Sequence, residues 1–354
     1  MYPTEPAVHA LFTTSPNFPT EDIDVFGCGS TMGNLLRFVR LVDKPFRFNV
    51  EVTGDTVFFV RKENDPRETI DGVKGYGHTF PEAYTTWESD VKGSESHQRL
   101  VQYDFGGYRC IIRFECDGYL QTSNQEISVP NIGTQSGLDD LLHAFDNTAI
   151  TRDISNLDSP LTVQTAGCPP PQATIFDLKT RSCRYQREID MADIYPSLWL
   201  KQIPHFIIAY HDGHGTFQDI RVRDISKDVQ EWEKANGAAI QRLAVLLKKI
   251  VDAARQDGTG LLEVYSPTVD CLEIRRQHGK GAHALPPKLR SRWEGKEDGG
   301  ALIVGNDCSE DDGKHDEIIS AKAYTSFSDD SDDDDPDYTA CSADTCGYCG
   351  KCRY

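Results

Sequence analysis

The 354-residue sequence predicts a mixed α/β domain of the α+β kind, a central mixed β-sheet flanked by helices, with a disordered acidic C-terminal tail. Three observations predict it. Apolar residues make up 38% of the chain and aromatics 10%, enough for a sizeable core. Strand-like alternation and helix-like periodicity follow each other irregularly, which suits a mixed sheet better than a regular doubly wound one. The formal charge of -19 is unevenly spread, with 16 acids against 4 bases in positions 297–354 and 40 acids against 33 bases before them. The body is therefore only mildly acidic.

Along the chain, residues 1–20 are rich in Pro, Thr and Ser without periodicity and read as a flexible arm. The main domain is expected over 21–296. Its first clear element is Phe46 to Arg61, which alternates apolar and polar residues on both sides of Thr53-Gly54-Asp55 and reads as a β-hairpin. A second hairpin is expected from Leu100 to Glu115, turning at Phe105-Gly106-Gly107. Residues 118–171 are irregular apart from a helical candidate at Leu138 to Asp146, and read as an insertion. Beyond it come a short strand at Ala173 to Leu178, a helix at about Asp190 to Lys201, a buried strand from His205 to Tyr210 and another from Phe217 to Asp224. Ile240, Leu243, Leu246, Leu247 and Ile250 mark one long amphipathic helix over Val229 to Arg255.

From 297 to 340 the chain is a like-charge linker containing DDSDDDDPD, which repels itself. A Cys-rich knuckle, 341–354, closes the sequence. Cys341, Cys346, Cys349 and Cys352 can enclose a tetrahedral Zn²⁺, although an Fe–S cluster or a reduced, metal-free tail also suits them. The remaining seven cysteines are scattered, so reduced thiols are expected. No run reaches the ~18 apolar residues of a membrane span, and the N-terminus lacks the order of a secretory signal. The expectation is an intracellular protein, nuclear or cytoplasmic, without membrane contact.

Chemistry concentrates on two strand ends. Glu115-Cys116-Asp117 ends one strand and Asp177-Leu178-Lys179 the other, and residues two apart on a strand share a face. If the strands are neighbours, three carboxylates and an ammonium converge. Such acids repel one another unless a hard divalent cation, Mg²⁺ or Mn²⁺, takes their oxygens, and that ion can activate water for phosphoryl chemistry. Lys179 would then assist the attacking water. This is the logic of the PD-(D/E)XK nuclease signature. The alternative is a set of solvated strand-end charges.

Other signals are weaker. Asp329 to Asp333 looks like the Asp-rich motif of prenyl synthases but lies in a low-complexity run. Phe26-Gly27-Cys28-Gly29-Ser30 lacks the lysine of a phosphate loop and reads as a tight turn, and the histidines have no zinc-protease spacing.

The order of elements resembles the DXO family of decapping and 5′-end RNA-processing enzymes, a PD-(D/E)XK branch. GHTFPE (Gly77 to Glu82), HQRLVQYDFGGYRCIIRFECDG, CPPPQATIFDLKTRS and KQIPHFIIAYHDGHGTFQDI stand in the family's order, and the similarity spans about Ile23 to Trp293. The resemblance implies a metal-dependent phosphodiesterase or pyrophosphohydrolase acting on RNA 5′ ends. It implies Glu82, Glu115, Asp117 and Asp177 as Mg²⁺ or Mn²⁺ ligands, Lys179 as catalytic lysine, and Arg37 and Gln202 as substrate-binding residues. Asp177 stands where the family has Glu, and Gln202 fits only with a shift of several residues. Two alternatives stand beside this reading. One is a general nuclease without cap preference, and the other is a catalytically weak interaction module whose acidic tail engages a protein partner.

Overall fold

A computed structural model describes residues 2–62, 76–77, 79–94, 96–121, 161–183, 189–279 and 281–296. The helical candidate at Leu138 to Asp146, the acidic linker and the four C-terminal cysteines lie outside these residues.

The larger of two sheets has seven strands: β1 (Val25–Cys28), β2 (Phe46–Thr53), β3 (Thr56–Arg61), β4 (His97–Phe105), β5 (Tyr108–Cys116), β10 (Leu261–Thr268) and β11 (Cys271–Arg276). Their order is β11-β10-β2-β3-β1-β5-β4, and β1 runs parallel to both of its neighbours. Both expected hairpins are present, as β2–β3 and β4–β5. The strand β1 occupies the segment that reads as a tight turn. Four continuously buried residues on a central parallel strand show no alternation, and the glycines at 27 and 29 imitate turn chemistry.

One face of this sheet buries Val25, Phe48, Val50, Phe59 and Ile112 against helices α2 (Gly29–Val39) and α6 (Gly237–Gln256). The other face buries Phe26, Phe58, Val60 and Ile111 against α1 (Glu5–Thr14) and α7 (Pro287–Trp293). The expected flexible arm is thus largely a packed helix. Val8 and Phe12 are buried in that second core, and the Phe12 ring meets Trp293 edge-on at 6.0 Å. The long helix expected over Val229 to Arg255 is two, α5 (Ser226–Ala235) and α6, because Asn236-Gly237 interrupts it. Both residues are poor helix formers, and the Asn236 side chain donates to the Trp232 carbonyl at 2.8 Å.

The second sheet has the order β6-β7-β8-β9, from β6 (Gly118–Tyr119), β7 (Ile175–Ser182), β8 (His205–His211) and β9 (Phe217–Asp224). Its β7 and β8 are parallel, while both outer pairs are antiparallel. Side chains of β7 alternate between two cores. Ile175 faces Phe114, Cys116 and Leu198 of α4 (Met191–Lys201). Phe176 and Leu178 face the other way, toward Phe80 of the short helix α3 (Thr79–Tyr84). The chain passes from the large sheet to the small one at Asp117, between β5 and β6. Gly118 makes the crossing possible, since a Cβ there would lie 2.5 Å from the Phe176 ring. Among the described residues no helix is long and apolar enough to cross a membrane.

Candidate functional site

The crossing point carries the most strongly perturbed charges. Asp177 and Lys179 sit two apart on β7, on the face that also carries Ile175, and Lys179 Nζ donates to Asp177 Oδ1 at 2.8 Å. Asp117 comes in from the end of β5 and accepts the Leu178 amide at 2.6 Å. Lys201, in the last turn of α4, reaches Asp177 Oδ2 with its Nζ at 3.3 Å. Asp177, Lys179 and Lys201 are 5%, 8% and 1% exposed, so these charges are stabilised by one another rather than by water.

The two acids respond oppositely. Burial, reinforced by the charge of Asp177, pushes the Asp117 carboxyl up to about 6. Burial pushes Asp177 up as well, but Lys179 and Lys201 outweigh it and hold Asp177 at about 2. Lys179 is raised although burial opposes its charge, because Asp177 and Asp117 stabilise the ammonium. Burial also pushes the adjacent Cys116 thiol up to about 12, so it stays protonated and packs as a small hydrophobe.

Of the residues singled out in the sequence, the structure brings Asp117, Asp177 and Lys179 together. Glu115 does not join them. Phe114 and Cys116 face the core around Asp177, so Glu115 has the opposite parity on β5, the parity of Arg113, which donates to the Pro3 carbonyl at 2.9 Å. Glu82 is exposed on α3, whose Phe80 packs on the Phe176/Leu178 face of β7, the side away from Asp177. Gln202 is the left-handed residue ending α4, at φ 55°, and its side chain donates to the Trp199 carbonyl at 2.6 Å. Arg37 hydrogen-bonds Asn34, and it lies eight residues, about 12 Å, along α2 from Gly29.

Lys201 was missed by sequence reasoning. A lysine in the last turn of a helix ordinarily complements the helix dipole, which hides any further role. One signal was available: Lys201 falls three residues after Leu198, the buried face of α4.

The expected Mg²⁺ or Mn²⁺ site can be tested against these donors. Among the described residues no three His, Cys, Asp or Glu side chains converge as metal ligands. Two acids face two buried lysines, so the group is already neutral, and both oxygens of Asp177 are held by ammonium groups. A divalent ion entering this arrangement would leave it doubly positive in a buried position. The residues as arranged do not fit one.

Residues 1–293 match the family model described as a domain of unknown function, DUF8563. The chain belongs to the DUF8563 family. No curated protein matches it. Among solved structures, this DUF8563 chain is similar to Scheffersomyces stipitis Rai1 in complex with (3′-NADP)⁺ and calcium, at a TM-score of 0.52 and 11% identity. That similarity covers 82% of this chain and 79% of the other. Candida albicans Rai1 in complex with pU5 and Mn²⁺ follows at a TM-score of 0.49 and 10% identity, covering 82% and 78%. This DUF8563 chain therefore has the mixed α/β fold of the S. stipitis Rai1 structure, so the distant DXO-type resemblance extends to the fold.

Proposed function

We propose that this DUF8563 protein is a hydrolase of RNA 5′ ends, cleaving a phosphodiester or pyrophosphate bond at a centre built on Asp117, Asp177 and Lys179. The observation that carries the reading is the convergence of Asp117, Asp177 and Lys179 where the two sheets meet, with burial raising the Asp117 carboxyl while the neighbouring ammonium groups hold Asp177 down. Environments that push paired acids apart assign one to proton transfer and the other to fixed charge. Asp117, ionised just above its own pKa, takes the proton of a water as that water's oxygen bonds to phosphorus, and the bond from phosphorus to the leaving oxygen breaks. Asp177 remains charged, balanced by Lys201, and orients Lys179, whose ammonium group offsets the negative charge building on the phosphoryl oxygens. The choice of RNA 5′ ends is supported by the motif order shared with the DXO family and by the nucleotide held in the S. stipitis Rai1 structure.

The test is to incubate the full chain with capped, 5′-triphosphate and 5′-monophosphate RNA and follow product release. Replacing Lys179 by Met should slow release by at least about a hundredfold, the scale on which a positioned catalytic group acts. Equal rates for K179M and wild type would refute the reading. The deep burial of Asp177, Lys179 and Lys201 favours one second reading, a DXO-type fold that binds without cleaving. That reading is selected if the same RNAs bind and emerge intact.

A further inference from the structure

The metal that the fold family implies does not suit the cluster, and one side chain accounts for the misfit. Lys201 carries its Nζ to Asp177 Oδ2 at 3.3 Å, the oxygen that Lys179 leaves open. Its route is built into the fold. The stem packs beside Gly29, at the start of α2, where a Cβ would stand in ordinary van der Waals contact, 3.4 Å from Lys201 Cε and 3.6 Å from Phe114 Cβ. The turn that aims the side chain is also fixed. Gln202 takes the left-handed position, Ile203 donates its amide to the Leu198 carbonyl at 3.0 Å, and the Gln172 side chain donates to the Lys201 carbonyl at 3.2 Å. At 1% exposed, Lys201 cannot swing to solvent without unpacking Phe114 and α4.

We propose that Lys201 is a positioning and charge-balancing residue that takes the place of a divalent cation at Asp177, so that this site is complete without a metal. The inference rests on the proposed function only in taking the Asp117–Asp177–Lys179 cluster as the reacting centre. Two acids and two ammonium groups sum to zero, and each ammonium supplies the positive charge that an ion would bring to one oxygen of Asp177. A divalent ion at Asp177 Oδ2 would have to displace the Lys201 ammonium from its buried position beside Phe114, and moving a buried charge is costly.

The experiment is calorimetric titration of the full chain with Mn²⁺, run in parallel on D117N, which removes a ligand from this cluster while leaving other acids of the chain in place. The difference between the two isolates binding at the cluster. Wild type should show no difference. K201M, checked for folding by its thermal transition, should acquire a D117-dependent Mn²⁺ site at least about tenfold tighter, the factor equivalent to one pKa unit of like-charge repulsion. A wild-type chain with a D117-dependent Mn²⁺ site overturns the proposal, and so does a folded K201M that gains none. If K201M does not fold, the comparison of wild type with D117N decides alone. RNA hydrolysis with and without EDTA separates the two ideas. Hydrolysis that requires Mn²⁺, together with a D117-dependent site in wild type, sinks the Lys201 proposal and keeps the hydrolase. No hydrolysis under either condition, with no Mn²⁺ site, sinks the hydrolase and keeps Lys201 in its place.

Discussion

The molecule buries carboxylates in two ways, and the contrast separates a structural acid from a chemical one. Glu51, on β2 of the large sheet, is 2% exposed and accepts from the Ala284 amide, from His283 Nδ1 at 2.7 Å and from Arg290. Its partners belong to the segment that covers β2 and continues into α7, so this acid staples a late stretch of chain to an early strand. One carboxylate meets one arginine, and both Arg290 and His283 still touch solvent. At the junction of the sheets, by contrast, two carboxylates share two lysines that are almost entirely enclosed. A single satisfied acid has nothing to exchange. Two carboxylates that share enclosed ammonium groups are shifted in opposite directions, and that difference favours the junction over the staple for the proposed hydrolysis.

The largest effect that could break this contrast is on stability. Replacing Asp177 by Asn removes the carboxylate that both Lys179 and Lys201 contact directly. The expected cost is about 3–5 kcal/mol, the range for removing one partner of a buried ion pair, read as a shift in the urea midpoint. Replacing Glu51 by Gln should cost less, about 1–3 kcal/mol, because Arg290 and His283 can recover water. Equal losses for the two variants would mean that the junction is simply another staple.

A second difference appears with pH. The folded Asp117 carboxyl sits at about 6, above its ordinary value of 3.8, so its contribution to stability is full below pH 4 and is lost as pH rises to 6. The loss is about 3 kcal/mol at most, at 1.36 kcal/mol per unit. Asp177 has the opposite sign, since its folded value near 2 gives stability that is present above pH 4 and lost as pH falls toward 2. D117N should abolish the decline between pH 4 and 6 in urea melts without altering the acid limb. If Asp117 is the proton acceptor, hydrolysis should rise with pH through about 6 in wild type and lose that limb in D117N.

These contrasts also show what the sequence makes legible. Hairpins β2–β3 and β4–β5, with alternating residues around Gly turns, are visible from period alone. Asp117, Asp177 and Lys179 are visible because acids at strand ends are unusual enough to stand out. Residues whose placement depends on how distant elements meet are not visible. Glu115 has the right spacing from Asp117 for a shared face, but the chain changes sheets between them, and parity does not carry across a crossing. Lys201 is hidden for the opposite reason: its local context explains it completely, and only the packing of α4 beside Gly29 shows where it points. The same limit hides β1, whose burial comes from neighbours supplied by β3 and β5.

The smallest predicted effect tests the crossing itself. Gly118 follows Asp117, and its Cα faces the Phe176 ring so closely that a methyl group would stand 2.5 and 2.9 Å from two ring carbons. Phe176 is 4% exposed and packed with Phe80 and Leu178, so its ring has little room to retreat. In G118A either the ring shifts or β6 lifts from β7. Overpacking of this kind costs about 1–3 kcal/mol. The informative readout is local. Lifting β6 draws Asp117 away from the Leu178 amide, removing one of the interactions that hold its proton affinity down, so the pH 4–6 decline in stability should deepen in G118A. The Glu51 staple lies on another sheet and should be unaffected, so urea melts of G118A and G118A/E51Q should differ by the same amount as wild type and E51Q. Non-additivity between those two positions would show that the sheets respond as one unit, and the distinction between staple and reacting centre would then have to be drawn on chemistry alone.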